Sequence, residues 1–336
     1  MTKTKHAAGC SVDLGTMTVL AARHSADGAV ETKRIRDAFL DLEPEAKKTL
    51  RLSRVDYVER EGSLIVLGDS ALALANLFKR EVRRPLSRGV ISAGELDAQE
   101  ILALLLLNVL GKPTVDAEHC YYSVPAAPLD EPGQDVIYHQ EVFRKILAEL
   151  GYTPHPMNEA MAVIYSQCAE QNFSGLAISY GAGMCNMALA YHSVSGMELA
   201  LARGGDWVDH HSAKAVGSTA SRMCSIKEKG VDLAHPKNRD EEAIALYLRA
   251  LIKYSIENIA VQFRKVQANI ELPEPIPFVV SGGTSRAVGF MDVFKQEFEA
   301  IKKRGFPIQI SEIRQAKDPM TAVAEGLLVL ASEEHA

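Results

Sequence analysis

The stretch CSVDLGTMTVLA, residues 10–21, places a turn of small residues between two apolar runs. Because glycine reaches the positive φ values that many hairpin turns use, this pattern predicts a strand, a tight turn and a second strand. The stretch GLAISYGAGMCNMALA, residues 175–190, has the same form in the second half of the chain. One hairpin in each half predicts a duplicated α/β architecture with a single cleft between the halves.

Length and composition set wider limits on the class of protein. The chain has 336 residues, of which 47% are hydrophobic, and two domains of roughly 150 residues each are expected. Its net charge of −6 argues against a nucleic-acid partner, which would favour a basic surplus. No run of about 18 apolar residues is present, so no integral membrane segment is expected. Five scattered cysteines without CxxC spacing favour a reduced, cytoplasmic protein.

The two turns and one later segment carry groups that suit a phosphate ligand. Next to Asp13, residues 15–18 offer backbone N–H groups and two threonine hydroxyls, which can cradle phosphate while the carboxylate positions hydrated Mg²⁺. A plain β-turn is the alternative. Residues 181–183 repeat the glycine pattern, and VVSGGTSR, residues 279–286, is a strand that opens into a Gly-Gly turn and a helix. A Gly-Gly pair at a helix N-terminus permits close approach of the backbone to a ligand. The alternative is a simple connection between the strand and the helix.

The order of these motifs resembles the actin-like ATPase family, which includes actin, heat-shock chaperones, sugar kinases and bacterial actin homologues. Residues 13–18 resemble its first phosphate loop, residues 179–186 its second, and residues 282–286 its adenosine motif. Residues 158–162 and 318–326 resemble its two connecting helices. The resemblance implies an α/β, actin-like (ribonuclease H-like) fold, with two duplicated α/β domains around a nucleotide cleft.

Within that family the chain is most similar to the bacterial actin homologues MreB and MamK, on residues 83–91, 123–126 and 204–209. The resemblance implies a first domain of residues 8–165 plus 318–336, with a small subdomain at about 35–85. It implies a second domain of residues 166–317, with a reduced fourth subdomain at about 226–258.

The resemblance also assigns roles to individual residues. It implies ATP or ADP with Mg²⁺ as cofactors, Asp13 as the residue that holds a water of the Mg²⁺ shell, and Glu159 as the carboxylate that polarises the attacking water. The alternative for Glu159 is a helix N-terminal carboxylate favoured by the helix dipole. The residues implied to contact the nucleotide are Gly15, Thr16, Met17, Thr18, Ser179, Gly181, Ala182, Gly183, Gly204, Gly205, Asp206, Gly282, Gly283, Thr284 and Arg286.

The second phosphate loop departs from the family pattern. It has Ser179 where the family has Asp, Met184-Cys185 where hydroxyl residues are usual, and Asn186 at the final acid. Losing one positioned electrostatic partner commonly costs about 10²–10³-fold in rate. Slow or impaired ATP hydrolysis is therefore expected.

The helix after residues 204–209 also departs from the family pattern. Arg222 and Ser225 fall where bacterial actins carry a Glu and a Lys for the ribose and base, although a shifted register brings in Lys227 or Glu228. Only residues 229–240 separate this helix from the next one, so the fourth subdomain is expected to be reduced to helices.

Three functions remain open at this point. The first is a cytoplasmic actin-like protein that binds ATP, self-associates into filaments and hydrolyses ATP slowly. The second is a pseudo-ATPase scaffold of actin fold that binds a partner protein and does not polymerise. The third is a small-molecule kinase of the same fold, which would normally need an acidic base that faces a substrate.

Overall fold

The computed structural model describes residues 9–78, 80–266 and 272–333. In chain order the strands are β1 Gly9–Leu14, β2 Thr18–His24, β3 Val30–Arg36, β4 Phe39–Leu42, β5 Val58–Arg60, β6 Ser63–Leu67, β7 Leu86–Ser87, β8 Val90–Ile91, β9 His119–Val124, β10 Thr153–Asn158, β11 Gly175–Tyr180, β12 Cys185–Tyr191, β13 Val194–Leu201, β14 Ile276–Ser281 and β15 Ile310–Gln315. The helices are α1 Lys47–Leu52, α2 Asp69–Phe78, α3 Ala98–Leu110, α4 Val136–Glu149, α5 Glu159–Gln167, α6 Gly205–Val216, α7 Ala220–Lys229, α8 Arg239–Val266, α9 Phe290–Lys302 and α10 Ala322–Glu333.

Two five-stranded sheets have the same topology. Their strand orders are β3-β2-β1-β9-β10 and β13-β12-β11-β14-β15. In each sheet the first three strands of this order are antiparallel. The third strand, β1 or β11, also pairs in parallel with its other neighbour, β9 or β14. Both predicted hairpins are therefore present, as β1–β2 and β11–β12, and the predicted duplication of an α/β unit is confirmed.

Helices α5 and α10 lie between the two sheets. Helix α10 packs on the first sheet, α5 packs on the second, and the two helices pack on each other. This layer is built mainly from small side chains, which lets the backbones approach closely. Ser11 in β1 donates its hydroxyl to the carbonyl of Ala324 in α10 at 2.7 Å. The close packing joins the halves and places both hairpin turns near each other.

Each half has its own outer core. In the first half α3 and α4 cover the sheet, and in the second half α6, α8 and α9 do so. A small sheet of order β4-β6-β5 packs with α1 and α2, within the segment predicted as the small subdomain.

Among the described residues between α7 and α8 no strand is formed, and residue 232 makes only an isolated bridge to residue 288.

Several sequence-based bounds differ from those of the structure. The predicted domain boundary at 165/166 falls inside α5, and the domain bounds stay a prediction. Residue 8 and residues 334–336 of the predicted first domain lie outside the described residues.

The reason given for glycine in the two hairpin turns is wrong. Neither Gly15 nor Gly181 has a positive φ. A Cβ on Gly15 would lie 2.8 Å from the carbonyl oxygen of Thr18, and one on Gly181 would lie 2.9 Å from that of Met184. Glycine is required here because each turn closes too tightly for a side chain.

His139 in α4 makes the stability of the fold depend on pH. Its ring is 1% exposed, and within the described part of the chain neither ring nitrogen has a hydrogen-bond partner. Burial lowers the pKa of His139 to about 3. An unfolded chain binds this proton near pH 6.5 and the folded one does not, so stability falls on acidification below pH 6.5.

We expect His139→Leu to remove this acid sensitivity. Between pH 6.5 and 5 the histidine term amounts to about 2 kcal/mol, and urea unfolding at both values measures it. His210→Gln, at an exposed position, is the control and should unfold as the wild type does. If wild type and His139→Leu lose equal stability over this range, His139 does not carry the effect.

Candidate functional site

A cleft of about 530 Å³ lies where the turns of the two hairpins face each other. Its volume is within the usual range for small-molecule sites, about 300–1,000 Å³. The structure brings most of the predicted site residues to its wall: Asp13, Gly15, Thr16, Met17, Thr18, Glu159, Ser179, Gly181, Ala182, Gly183, Gly282, Gly283, Thr284 and Arg286.

The first and second hairpin turns pack against each other and against the segment at Gly89. The backbone N–H of Gly89 donates to Thr16 Oγ1 at 2.9 Å. A Cβ on Gly183 would lie 2.2 Å from that same nitrogen and 2.4 Å from Thr16 Oγ1. Met184, only 3% exposed, packs so closely that a Cβ on Gly89 would meet its sulfur at 2.2 Å. Met184, which replaces a hydroxyl residue, therefore has a packing role in this loop.

The third glycine-rich segment is tied to the second hairpin. Gly282 follows β14 with a φ of 89°, and a Cβ there would lie within 2.5 Å of the Tyr180 backbone. Residues Gly283–Arg286 form a single 3-10 turn, and Thr284 Oγ1 donates to the carbonyl of Gly181 at 3.0 Å. The segment thus follows the wall of the cleft, and the α-helix begins only at Phe290.

Asp13 stands half-buried at the end of β1. Ser123 Oγ donates to its Oδ1 at 2.9 Å and accepts from the backbone N–H of Leu14 at 2.7 Å. Burial raises the pKa of Asp13 to about 6, although the Ser123 hydrogen bond opposes the shift. The serine therefore fixes one oxygen of the Asp13 carboxylate.

Glu159 is the first residue of α5 and faces the same cleft. Asn158 caps this helix, since its side chain accepts from the N–H groups of Ala160 and Met161. Capping therefore does not require Glu159. Burial raises the pKa of Glu159 to about 8, and the nearby charge of Asp13 adds to the shift. Two carboxyls with raised pKa values in one cleft are typical of a functional site.

Helix α7 of the second half supplies two charged residues, Lys227 and Glu228, to the wall of the cleft. Lys227 Nζ donates to the carbonyl of Gly205 and to Asp209 Oδ2, both at 2.7 Å, and Lys227 and Glu228 line the cleft. Arg222 instead pairs with Asp240 at 3.0 Å and does not line the cleft. The residues of the shifted register, Lys227 and Glu228, therefore line the cleft, and those of the ungapped match, Arg222 and Ser225, do not.

Gly204, Gly205 and Asp206 lie behind the second turn, outside the wall of the cleft. The N–H of Gly205 donates to the carbonyl of Gly181 at 2.9 Å, and that of Asp206 to the carbonyl of Ala182 at 2.8 Å. Asp206 also pairs with Arg84 at 3.0 Å. Helix α6 thus begins against the second loop and supports it, and a ligand contact of these three residues stays a prediction.

The sequence reasoning missed a set of charged residues at the mouth of the cleft. In the β2–β3 register Arg36 lies opposite Thr18 and Arg34 opposite Leu20, so both arginines line the cleft. Arg36 binds Glu228 of the other half through two hydrogen bonds of 2.9 and 3.2 Å. It also binds Asp69 at 3.1 Å. Side chains two residues apart lie on the same face of a strand, and this alternation along β3 is the sequence signal that could have placed both arginines at the cleft.

The matched sheets, the layer of two helices between them and the shared cleft define an actin-like fold. Solved structures agree: "MamK double helical filament" has 20% identity and a TM-score of 0.73, covering 96% of this chain and 98% of that one. MreB5 of Spiroplasma citri bound to ADP has 16% identity and a TM-score of 0.63, covering 97% and 96%. The ethanolamine utilization protein EutJ from Carboxydothermus hydrogenoformans has 15% identity and a TM-score of 0.53, covering 96% and 89%.

Residues 9–331 match the family model described as Volactin, and the chain belongs to the Volactin family. No protein among the curated ones matches the sequence. Within the described ranges, none of the helices has the length and apolar character needed to cross a membrane.

Proposed function

We propose that this protein is a cytoplasmic, actin-like cytoskeletal protein that binds ATP with Mg²⁺, hydrolyses it slowly and assembles into filaments. One observation carries the proposal: the two hairpin turns line a single cleft together with Gly282, Gly283, Thr284 and Arg286. The relatives support it, since the MreB5 structure contains ADP and the MamK structure is a filament.

The residues of the cleft fit a magnesium nucleotide. Asp13 and Glu159 are half-buried carboxyls with no basic side chain paired to them in the described ranges, and hard oxygen ligands suit Mg²⁺. We assign the metal side to Asp13 and the phosphates to residues 15–18 and 181–183. The ribose and base are assigned to Lys227, Glu228 and residues 282–286. When bound, Mg²⁺ would neutralise charge on the phosphates.

In this arrangement side chains and backbone groups of the cleft orient the attacking water and hold the phosphates. Glu159, when ionised, orients the attacking water and accepts its proton, while the hydroxyls of Thr16 and Thr18 and nearby backbone N–H groups hold the phosphates. Ser179 lines the cleft without a carboxylate. The missing carboxylate is the reason why slow turnover is proposed.

Phosphate release and sedimentation test this function together. Purified protein with Mg-ATP should release phosphate slowly and pellet on ultracentrifugation, whereas protein without nucleotide should stay in the supernatant. Absence of both nucleotide binding and pelleting would contradict the proposal.

The packing of Met184 favours a second candidate, a pseudo-ATPase scaffold that binds a partner protein. Its side chain fills the space against Gly89 and offers no hydroxyl to a phosphate. Nucleotide binding with no phosphate release and no pelleting would favour this scaffold. Phosphate release that depends on an added sugar or small acid would instead indicate a kinase.

The ion pair between Arg36 and Glu228 spans the mouth of the cleft, and we expect it to slow nucleotide release. Arg36→Ala should speed dissociation of a fluorescent ATP analogue roughly fivefold, because a partly exposed ion pair contributes about 1 kcal/mol. Stopped-flow displacement measures the rate.

The double variant Arg36→Glu with Glu228→Arg restores opposite charges and should recover part of the slow release. A dissociation rate that Arg36→Ala leaves unchanged would show that the ion pair does not hold the cleft closed.

A further inference from the structure

We propose that Asn186 is a positioning residue that holds the Glu159 carboxylate in its working orientation; this inference rests on the proposed function. Asn186 lies in β12, directly after the second turn, and is 0% exposed. In the sequence, Asn186 stands where the actin-like family has an acid, which indicates the loss of an acidic residue. The structure assigns it a different task.

The side-chain amide of Asn186 makes two hydrogen bonds with opposite requirements. Its Oδ1 accepts from the backbone N–H of Ala126 at 3.0 Å, and its Nδ2 donates to Glu159 Oε2 at 3.0 Å. A backbone N–H is only a donor, so it fixes the amide with the oxygen toward Ala126 and the NH₂ group toward Glu159. The orientation of the amide follows from its partners.

Neither an aspartate nor an alanine at position 186 meets both requirements. An aspartate at position 186 accepts from Ala126 but presents an oxygen to Glu159, so two like charges repel when Glu159 is ionised. An alanine leaves both the Ala126 N–H and Glu159 Oε2 without this partner. The asparagine amide satisfies both groups, so Asn186 suits a chain in which the ionised Glu159 needs a donor.

The contact leaves the other oxygen of Glu159 available. Oε2 is held by Asn186, and Oε1 makes no hydrogen bond with any described residue of the chain, while Glu159 lines the cleft. One carboxylate oxygen is thus fixed by the protein and the other is free to meet a water. Fixing a catalytic group in this way is the usual means by which proteins gain rate through orientation.

The same amide links the two halves. Ala126 follows β9 of the first sheet, and the segment that continues from it joins the edge of the second sheet, where the N–H of Leu129 donates to the carbonyl of Ala200 at 2.9 Å. Asn186 belongs to the second sheet and Glu159 begins the connecting helix. The orientation of Glu159 therefore depends on contact between the halves.

The test compares Asn186→Asp, Asn186→Ala, Glu159→Gln and the double variant Asn186→Ala with Glu159→Gln, with Asn108→Ala as a control at an exposed position. Single-turnover phosphate release gives the rate, and titration with Mg-AMPPNP gives the affinity.

We expect each Asn186 variant to lower the rate about 10²-fold and to change affinity by less than about threefold. The double variant should be no slower than Glu159→Gln alone, because Asn186 acts through Glu159. Circular dichroism verifies folding, and the nearly isosteric Asn186→Asp serves if the alanine variant is unstable.

Other results overturn the inference. Rate losses that multiply in the double variant show independent action, and a changed affinity with an unchanged rate shows that Asn186 touches the ligand itself. Unchanged rates in the Asn186 variants, or a wild type that binds Mg-AMPPNP and releases no phosphate from ATP, also overturn it. A wild type that does not bind Mg-AMPPNP overturns the proposed function instead, so the two failures are distinct.

Discussion

Replacing Glu159 by glutamine is expected to lower the rate of phosphate release about 10²–10³-fold, with little change in nucleotide affinity. Glutamine keeps the shape of the side chain but cannot accept a proton from water. It also removes an acid whose pKa is raised to about 8 by burial and by Asp13, so the variant should fold at least as stably at neutral pH. Phosphate release under saturating Mg-ATP measures the effect.

Glu170→Gln is the matched control, since Glu170 is exposed and lies outside the wall of the cleft. Its rate should equal that of the wild type. If Glu159→Gln releases phosphate as fast as the wild type, Glu159 has no part in the chemistry.

Replacing Gly326 by alanine is expected to destabilise the protein by about 3 kcal/mol or more, the upper part of the usual range for overpacking. A Cβ at this position in α10 would lie 1.7 Å from the carbonyl oxygen of Ala162 in α5 and 2.5 Å from its carbon. Both contacts are with backbone atoms, so no side-chain rotation relieves them. The two helices must separate in the layer that joins the halves.

Urea unfolding at neutral pH measures this loss. Gly133→Ala is the control, because a Cβ at Gly133 has no neighbour within 4 Å, and its stability should stay within about 0.5 kcal/mol of the wild type. A Gly326→Ala variant as stable as the wild type would contradict the close packing of α5 on α10.

Local signals were sufficient to predict the parts of the site that are continuous in sequence. The turns at residues 15–18 and 181–183 and the Gly-Gly segment after β14 could each be recognised because a hairpin or a strand end is specified by adjacent residues. Their order and spacing then predicted the duplicated fold. The same local information placed Glu159 at the start of a helix.

Features set by contacts distant in sequence could not be predicted in this way. Arg36 reaches the cleft through its register opposite Thr18 and finds Glu228 only after the halves meet. Gly204 to Asp206 resemble a ligand-binding turn, and the hydrogen bonds of Gly205 and Asp206 to the second loop form only when the two segments meet in the fold. Asn186 counts as a lost ligand in sequence, and its bond to Glu159 follows only from the packing of β12 on α5.

Isothermal titration of the wild-type chain with AMPPNP, with and without Mg²⁺, tests the central claim most directly. If the cleft between the halves is a magnesium nucleotide site, the titration should give saturable binding of one nucleotide per chain that weakens strongly when Mg²⁺ is removed. No saturable heat from a chain whose cooperative unfolding shows it to be folded would contradict the claim.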